Sequence, residues 1–210
     1  MVVRRTERRQ AVSDHKRALI LEAAREVFAT EGLEGASLRA IATRAGYTPA
    51  ALYFHFASKE AIYAEVLQGS LAALGDAVDA AVAKARSPEA RLRAAAMAFF
   101  RFYAENPRDL DLGFYLFRGG MKPKGLGRER DVSLNDSLEA ALRPIADAAE
   151  ALGSPRSEAE LLMVDTFAHA TGLLLLLHTG RIRMFGASAA DRMEAYVDER
   201  IDLLKRETRE

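Results

Sequence analysis

The feature that most limits what this chain can become is a helical apolar period kept almost from end to end, with no run of alternating β-branched residues. Over residues 14–31, Ile20, Ala23, Ala24, Val27 and Phe28 share one face of a 3.6-residue helix, and Gly32 ends it. Over 37–45 the spacing recurs at Leu38, Ile41, Ala42 and Ala45, and Gly46 stops it. Thr48-Pro49 then supplies a capping hydroxyl followed by proline at the first helical position. Ser58 caps a long helix striped by Ile62, Val66, Leu71, Leu74, Val78 and Val82. Gly69 and Gly75 weaken it by about 1 kcal/mol each relative to Ala, which allows a bend. Ser87-Pro88 opens another helix and Asn106-Pro107 closes it, with a shorter apolar run on to Arg118. Residues 119–130, GGMKPKGLGRER, read as a loop. Further helices are predicted over 133–152, kinked at Pro144, over 157–179, opened by a Ser157…Glu160 capping box, and over 188–206. The fold class is all-α, about nine helices.

Composition narrows the chemistry. Half of the 210 residues are apolar, so a packed core needs no metal or disulfide staple, and zero Cys excludes thiolate chemistry and Cys-ligated zinc. Thirty Lys+Arg balance thirty Asp+Glu, but residues 1–60 hold 10 basic against 7 acidic side chains. The excess gathers at Arg4, Arg5, Arg8, Arg9, Lys16 and Arg17, a basic edge suited to a negatively charged partner. The first 18 residues lack the apolar core of a signal peptide. The most apolar stretch, 161–178, contains Asp165, His169 and Gly172 and falls short of a membrane span on this reading. A cytoplasmic protein is the expectation.

Residues 37–56, SLRAIATRAGYTPAALYFHF, carry the functional signal. Two short amphipathic helices meet at Gly46, which takes the positive φ of a tight turn. Leu38, Ile41 and Ala42 would pack on Leu52 and Phe56, leaving Thr48, Pro49, Ala50, Ala51, Tyr53 and His55 projecting from the second helix or its start. Small exposed residues let such a helix sit deep in a major groove, with methyls against thymine methyls. Thr48 and the free N–H groups at the helix start suit a phosphate, and Tyr53, His55 and Lys59 add donors for the flanking backbone. The competing assignment for Tyr53 is core, which is also the reading for Phe54 and Phe56. The Arg4–Arg9 cluster is either a frayed tail or a minor-groove arm.

Across residues 12–68 the chain resembles the TetR family of transcriptional regulators, on the amphipathic first helix, the block LRAIATRAGYTPAALYFHFASKEAIYAEVL and above all the LYFHF-x-x-K run. The resemblance implies an all-α homodimer with an N-terminal DNA-binding domain, here 1–60, and a C-terminal ligand-binding and dimerisation domain, here 61–210. It implies repression of transcription until a small molecule releases the DNA. It also implies DNA-contacting positions at Thr48, Tyr53, His55 and Lys59, with Arg39 as a base or phosphate contact. The positions of direct base readers, Pro49, Ala50 and Ala51, carry no side-chain donor, so readout there rests on methyl contacts, Arg39 and DNA shape.

The C-terminal part is aromatic at one place. Seven of sixteen aromatic residues are Phe99, Phe100, Phe102, Tyr103, Phe114, Tyr115 and Phe117. Four adjacent aromatics on one helix cannot share one core, so the expectation is an apolar ligand pocket lined by Phe99, Phe102, Tyr103, Phe114, Tyr115, Phe117, Phe167 and His169, against a filled core. Residues 161–177 and 193–204 are expected at a twofold dimer contact, against a buried monomer core. Asp165 and His169 are four apart on a helix, which is two ligands and not a metal site. No phosphate loop, nucleophile elbow or zincin motif occurs, so no cofactor and no enzyme are expected. The expected partners are palindromic double-stranded DNA, a second copy of the chain and a small apolar or aromatic effector, with no membrane. The alternatives are a small-molecule-binding helical protein without specific DNA affinity, and a helical module for a protein partner.

Overall fold

The computed structural model describes residues 2–113 and 125–207. Among them are nine α-helices and no strand: α1 (Val2–Gly35), α2 (Leu38–Ala45), α3 (Pro49–His55), α4 (Lys59–Val82), α5 (Pro88–Glu105), α6 (Pro107–Gly113), α7 (Arg128–Ala151), α8 (Arg156–His178) and α9 (Ala189–Glu207). A short 3-10 helix, Arg181–Phe185, precedes α9 and left no signal in the apolar period. The chain divides into two compact units, one of residues 1–69 and 108–134, the other of 70–107 and 135–210. Both α4 and α7 pass from the residues of one unit to those of the other.

Side-chain caps place most of the starts that the sequence announces. Ser37 accepts from Ala40 N at 3.1 Å, Thr48 from Ala51 N at 3.3 Å, and Ser58 and Ser87 accept in the same way at α4 and α5. Gly32 breaks α1 with φ 68° and ψ 177°, and Gly46 turns the chain with φ 73°. Other expectations need correcting. Helix α1 begins at Val2 and not at residue 14, and α7 begins at Arg128 inside the expected loop. No Ser157 capping box forms: Pro155 is the α8 cap, and Glu160 pairs instead with Arg143 and Arg156. Helix α7 continues on both sides of Pro144, the position of the expected kink.

In the first unit Ile20, Ala24, Phe28, Ile41, Leu52, Ile62 and Tyr63 are buried, each large side chain worth about 1.5–3 kcal/mol of transfer. Tyr63 sits edge-on to Phe28 at 4.8 Å between centroids, and its hydroxyl donates to the Leu112 carbonyl at 2.8 Å. That bond ties α4 to α6, as the Arg25–Asp109 ion pair at 2.8 Å ties α1 to α6. In the second unit Leu92, Phe100, Ile145, Leu174 and Met193 form the core from α5, α7, α8 and α9. Helix α8 starts at Arg156 and has 23 residues, with a mean hydropathy of 1.5 over its most apolar 18-residue window, and so is long and apolar enough to span a membrane by length and composition. That corrects the shorter count begun at Leu161, although core helices of globular proteins meet the same criteria.

Candidate nucleic-acid interface

The geometry of α2 and α3 follows from one glycine and two caps. Gly46 and Tyr47 donate back to the Thr43 and Ala42 carbonyls, closing α2, and two residues later Thr48 opens α3. Leu52 is 0% exposed and Phe56 3%, and with Ile41 and Ala42 they form the seam between the two helices. Opposite that seam, Thr48, Pro49, Ala50, Tyr53 and Phe54 are exposed, and Ala51 is half-buried. The Thr48 hydroxyl oxygen already accepts from Ala51 N, so its hydrogen is the group left to donate outward.

Tyr53 is 61% exposed and Phe54 86%, so Tyr53 is not core, and the core reading of Phe54 is wrong. The signal was present: Phe54 lies two residues from Leu52, about 200° around the helix, and must face away. Phe56, four residues from Leu52, is core as expected. The Phe54 ring stands edge-on to His55 at 5.5 Å and borders a groove of about 270 Å³ between α1 and α3, lined also by Val12, Lys16, Ile20, Tyr47 and Ala51.

The cations sort differently from the sequence reading. Arg39 is exposed and lines a groove of about 670 Å³ between α1 and α2, beside the Arg44–Glu26 ion pair. Lys59 Nζ donates to the carbonyls of Leu33 at 2.8 Å, Glu34 at 3.3 Å and Ala36 at 3.3 Å, closing the C-terminal end of α1. Arg17, counted above in the basic edge, is engaged inside the unit. Its Nη1 donates to the His55 carbonyl at 3.1 Å, its Nε to Glu65 at 3.1 Å and its Nη2 to the other Glu65 oxygen. The sequence named Arg17 only as part of the basic edge and did not single out Glu65, because a pair 48 residues apart leaves no local spacing. The side chains of Arg4, Arg5 and Arg9 lie outside the described residues.

In the second unit, Phe99 and Tyr103 are buried and meet edge-on at 5.2 Å, with Phe167 at 5.7 Å from Phe99. Phe102, half-buried, touches Tyr103 and borders an open groove of about 600 Å³ between α4 and α5, lined by alanines and by charged side chains including Arg93, Arg101 and Glu105. Phe114, Tyr115 and Phe117 lie outside the described residues. His178 Nε2 donates to the Tyr103 carbonyl at 2.9 Å, joining the ends of α8 and α5. His169 stacks on Tyr196 at 4.0 Å and 13°, away from the phenylalanines. Burial holds its pKa below the usual 6.5, and the nearby Arg192 and Arg200 charges act in the same direction.

Two capped helices at a glycine turn, the second presenting its outer face, define a helix–turn–helix protein. Residues 20–66 match the family model "Bacterial regulatory proteins, tetR family". It is 39% identical over 101 residues to the transcriptional activator FasR of Mycolicibacterium smegmatis, a match that covers 48% of this chain and 46% of FasR. It is 28% identical over 159 residues to the transcriptional repressor NicS of Pseudomonas putida, covering 75% and 74%. The fold is that of FadR from Bacillus subtilis, solved with stearoyl-CoA: TM-score 0.65 at 16% identity, over 89% of this chain and 96% of that one.

Proposed function

We propose that the chain is a homodimeric DNA-binding transcriptional regulator of the cytoplasm, a repressor released by a small apolar or aromatic effector held in its C-terminal part. The observation that carries the DNA reading is the exposed face of α3. Five residues in sequence reach of one another, Thr48 to Ala50 with Tyr53 and Phe54, stand in solvent on a helix whose other side is fixed in the core. A folded domain leaves two adjacent aromatic rings in water at a cost that a binding surface explains. Against DNA, Tyr53 supplies a donor to phosphate, Phe54 an apolar face to sugar or thymine methyl, and Pro49 and Ala50 a close approach.

The dimer reading rests on α8, which exposes Leu161, Val164, Ala168, Gly172 and Leu175 along one side at helical spacing, with Leu203 of α9 also exposed. That apolar length suits a second copy related by a twofold axis, and two copies set two α3 helices to successive major grooves, about 34–36 Å apart. The open groove bordered by half-buried Phe102 supports an apolar or aromatic effector, while Phe99 and Tyr103 are packed behind it as core. Release then follows if the effector favours a conformation in which the long helix α4 shifts and the paired α3 helices lose register.

The test is selection from fragmented genomic DNA at near-physiological salt, wild type against Tyr53→Ala/Arg39→Ala. A palindromic sequence retained by wild type alone is the expected result. Equal, unselective retention by both proteins would leave only polyanion binding and favour a small-molecule-binding protein without specific DNA affinity.

A further inference from the structure

Helix α3 has seven residues, too few to hold a conformation unaided, so what fixes its far end matters to anything it reads. Its start is closed by Thr48. At its end the Phe56 amide donates to the Leu52 carbonyl, and the His55 carbonyl accepts from Arg17 Nη1 at 3.1 Å. The other face of the same guanidinium grips both oxygens of Glu65 on α4, and its carbon lies 4.4 Å above the Phe56 ring. A planar fork held bidentate by one carboxylate has no freedom left to choose where its third N–H points. It points at the last residue of α3, where the helix dipole is negative.

We infer that Arg17 is a positioning residue: through Glu65 it locks the C-terminal end of α3 to α4 and so sets the orientation in which α3 meets DNA. The inference rests on α3 being the recognition helix. Its consequence has an unusual sign. Glu65 is a negative charge in a domain that binds a polyanion, and simple electrostatics says that removing it strengthens DNA binding. The clamp says that removing it weakens specific binding, because Arg17 loses the partner that aims it.

Full-length wild type, Glu65→Gln and Arg17→Lys are titrated across a salt series with the duplex that wild type retains from a random-sequence library, and with a scrambled duplex. Amide exchange at Phe56 is followed in the same proteins without DNA, and melting temperature checks that both variants fold. The clamp predicts that each variant loses about tenfold in affinity for the retained duplex. It predicts scrambled binding and salt slope close to wild type, and faster exchange at Phe56. A gain in affinity by Glu65→Gln for both duplexes overturns the inference, as does an Arg17→Lys variant equal to wild type, which is what a phosphate-contacting Arg17 would give. Should wild type retain no sequence, the regulator reading fails, and exchange alone decides the clamp: unchanged exchange at Phe56 in both variants overturns it.

Discussion

Replacing Lys59 by methionine separates two roles that the sequence does not distinguish. In a phosphate-contacting role the ammonium points at DNA. In the structure it closes the end of α1, with one strong bond to Leu33 and two longer ones to Glu34 and Ala36. Methionine keeps the stem and removes all three. A hydrogen bond from a charged donor is worth about 1.5–3 kcal/mol net when buried, and favourable charge at a helix C-terminus adds a few tenths to 1 kcal/mol. Because Lys59 is only half-buried and two of the bonds are long, the total is about 2 kcal/mol. For a protein of this size that lowers Tm by about 4–8 °C, readable by thermal or urea unfolding. The DNA salt slope should stay at the wild-type value. A lost phosphate contact would instead reduce the slope by about 0.9 per subunit and leave Tm unchanged, and that pair of results refutes the capping role.

Phe54→Ala should leave unfolding within about 0.5 kcal/mol of wild type, since the ring is solvent-exposed, yet lower affinity for the retained duplex several-fold; unchanged binding would remove Phe54 from the interface. On the proposed reading, wild type sediments as a dimer at micromolar concentration and Leu175→Glu, on the exposed side of α8, shifts it towards monomer; a monomeric wild type refutes the dimer, and a dimeric variant refutes the α8 contact. His169 is held neutral by burial, its folded pKa lying below 6.5. The unfolded chain therefore binds the proton first, so the stability it contributes is present above pH 6.5 and is lost as pH falls below that value. His169→Phe should flatten the fall in urea midpoint on the acid side of pH 6.5, and a fall of unchanged steepness would assign it to other groups.

How much the sequence disclosed depends on how local the determinant is. Gly46, Thr48, Ser58 and Ser87 act within four residues of themselves, and each cap or turn they announce is present, while Ser37, at the start of the second apolar period, caps α2 in the same local way. Tyr53 and the small residues of α3 were legible for the same reason, because one helical period places them opposite Leu52 and Phe56. Phe54 was misplaced by residue type, although its angle around the helix said otherwise. Ser157…Glu160 has the spacing of a capping box, but Glu160 finds Arg143 and Arg156, a choice made by packing. Arg17 with Glu65, Lys59 with the end of α1 and His169 with Tyr196 join residues 23 or more positions apart, and no single-sequence period records such pairs.

Arg17, Arg25, Arg44 and Lys59 each turn their charge to a carboxylate or to helix-end carbonyls within the first unit. A count of basic residues therefore overstates the field that α3 presents, and the consequence is kinetic. Non-specific attraction along a duplex is what lets a protein slide, and it scales with the cations free to replace counterions. On the proposed DNA-binding reading, a domain that engages these four cations internally makes shorter visits to the wrong sequence. It finds its site more by brief three-dimensional encounters, tested by the fit of Tyr53, Phe54 and the small residues of α3.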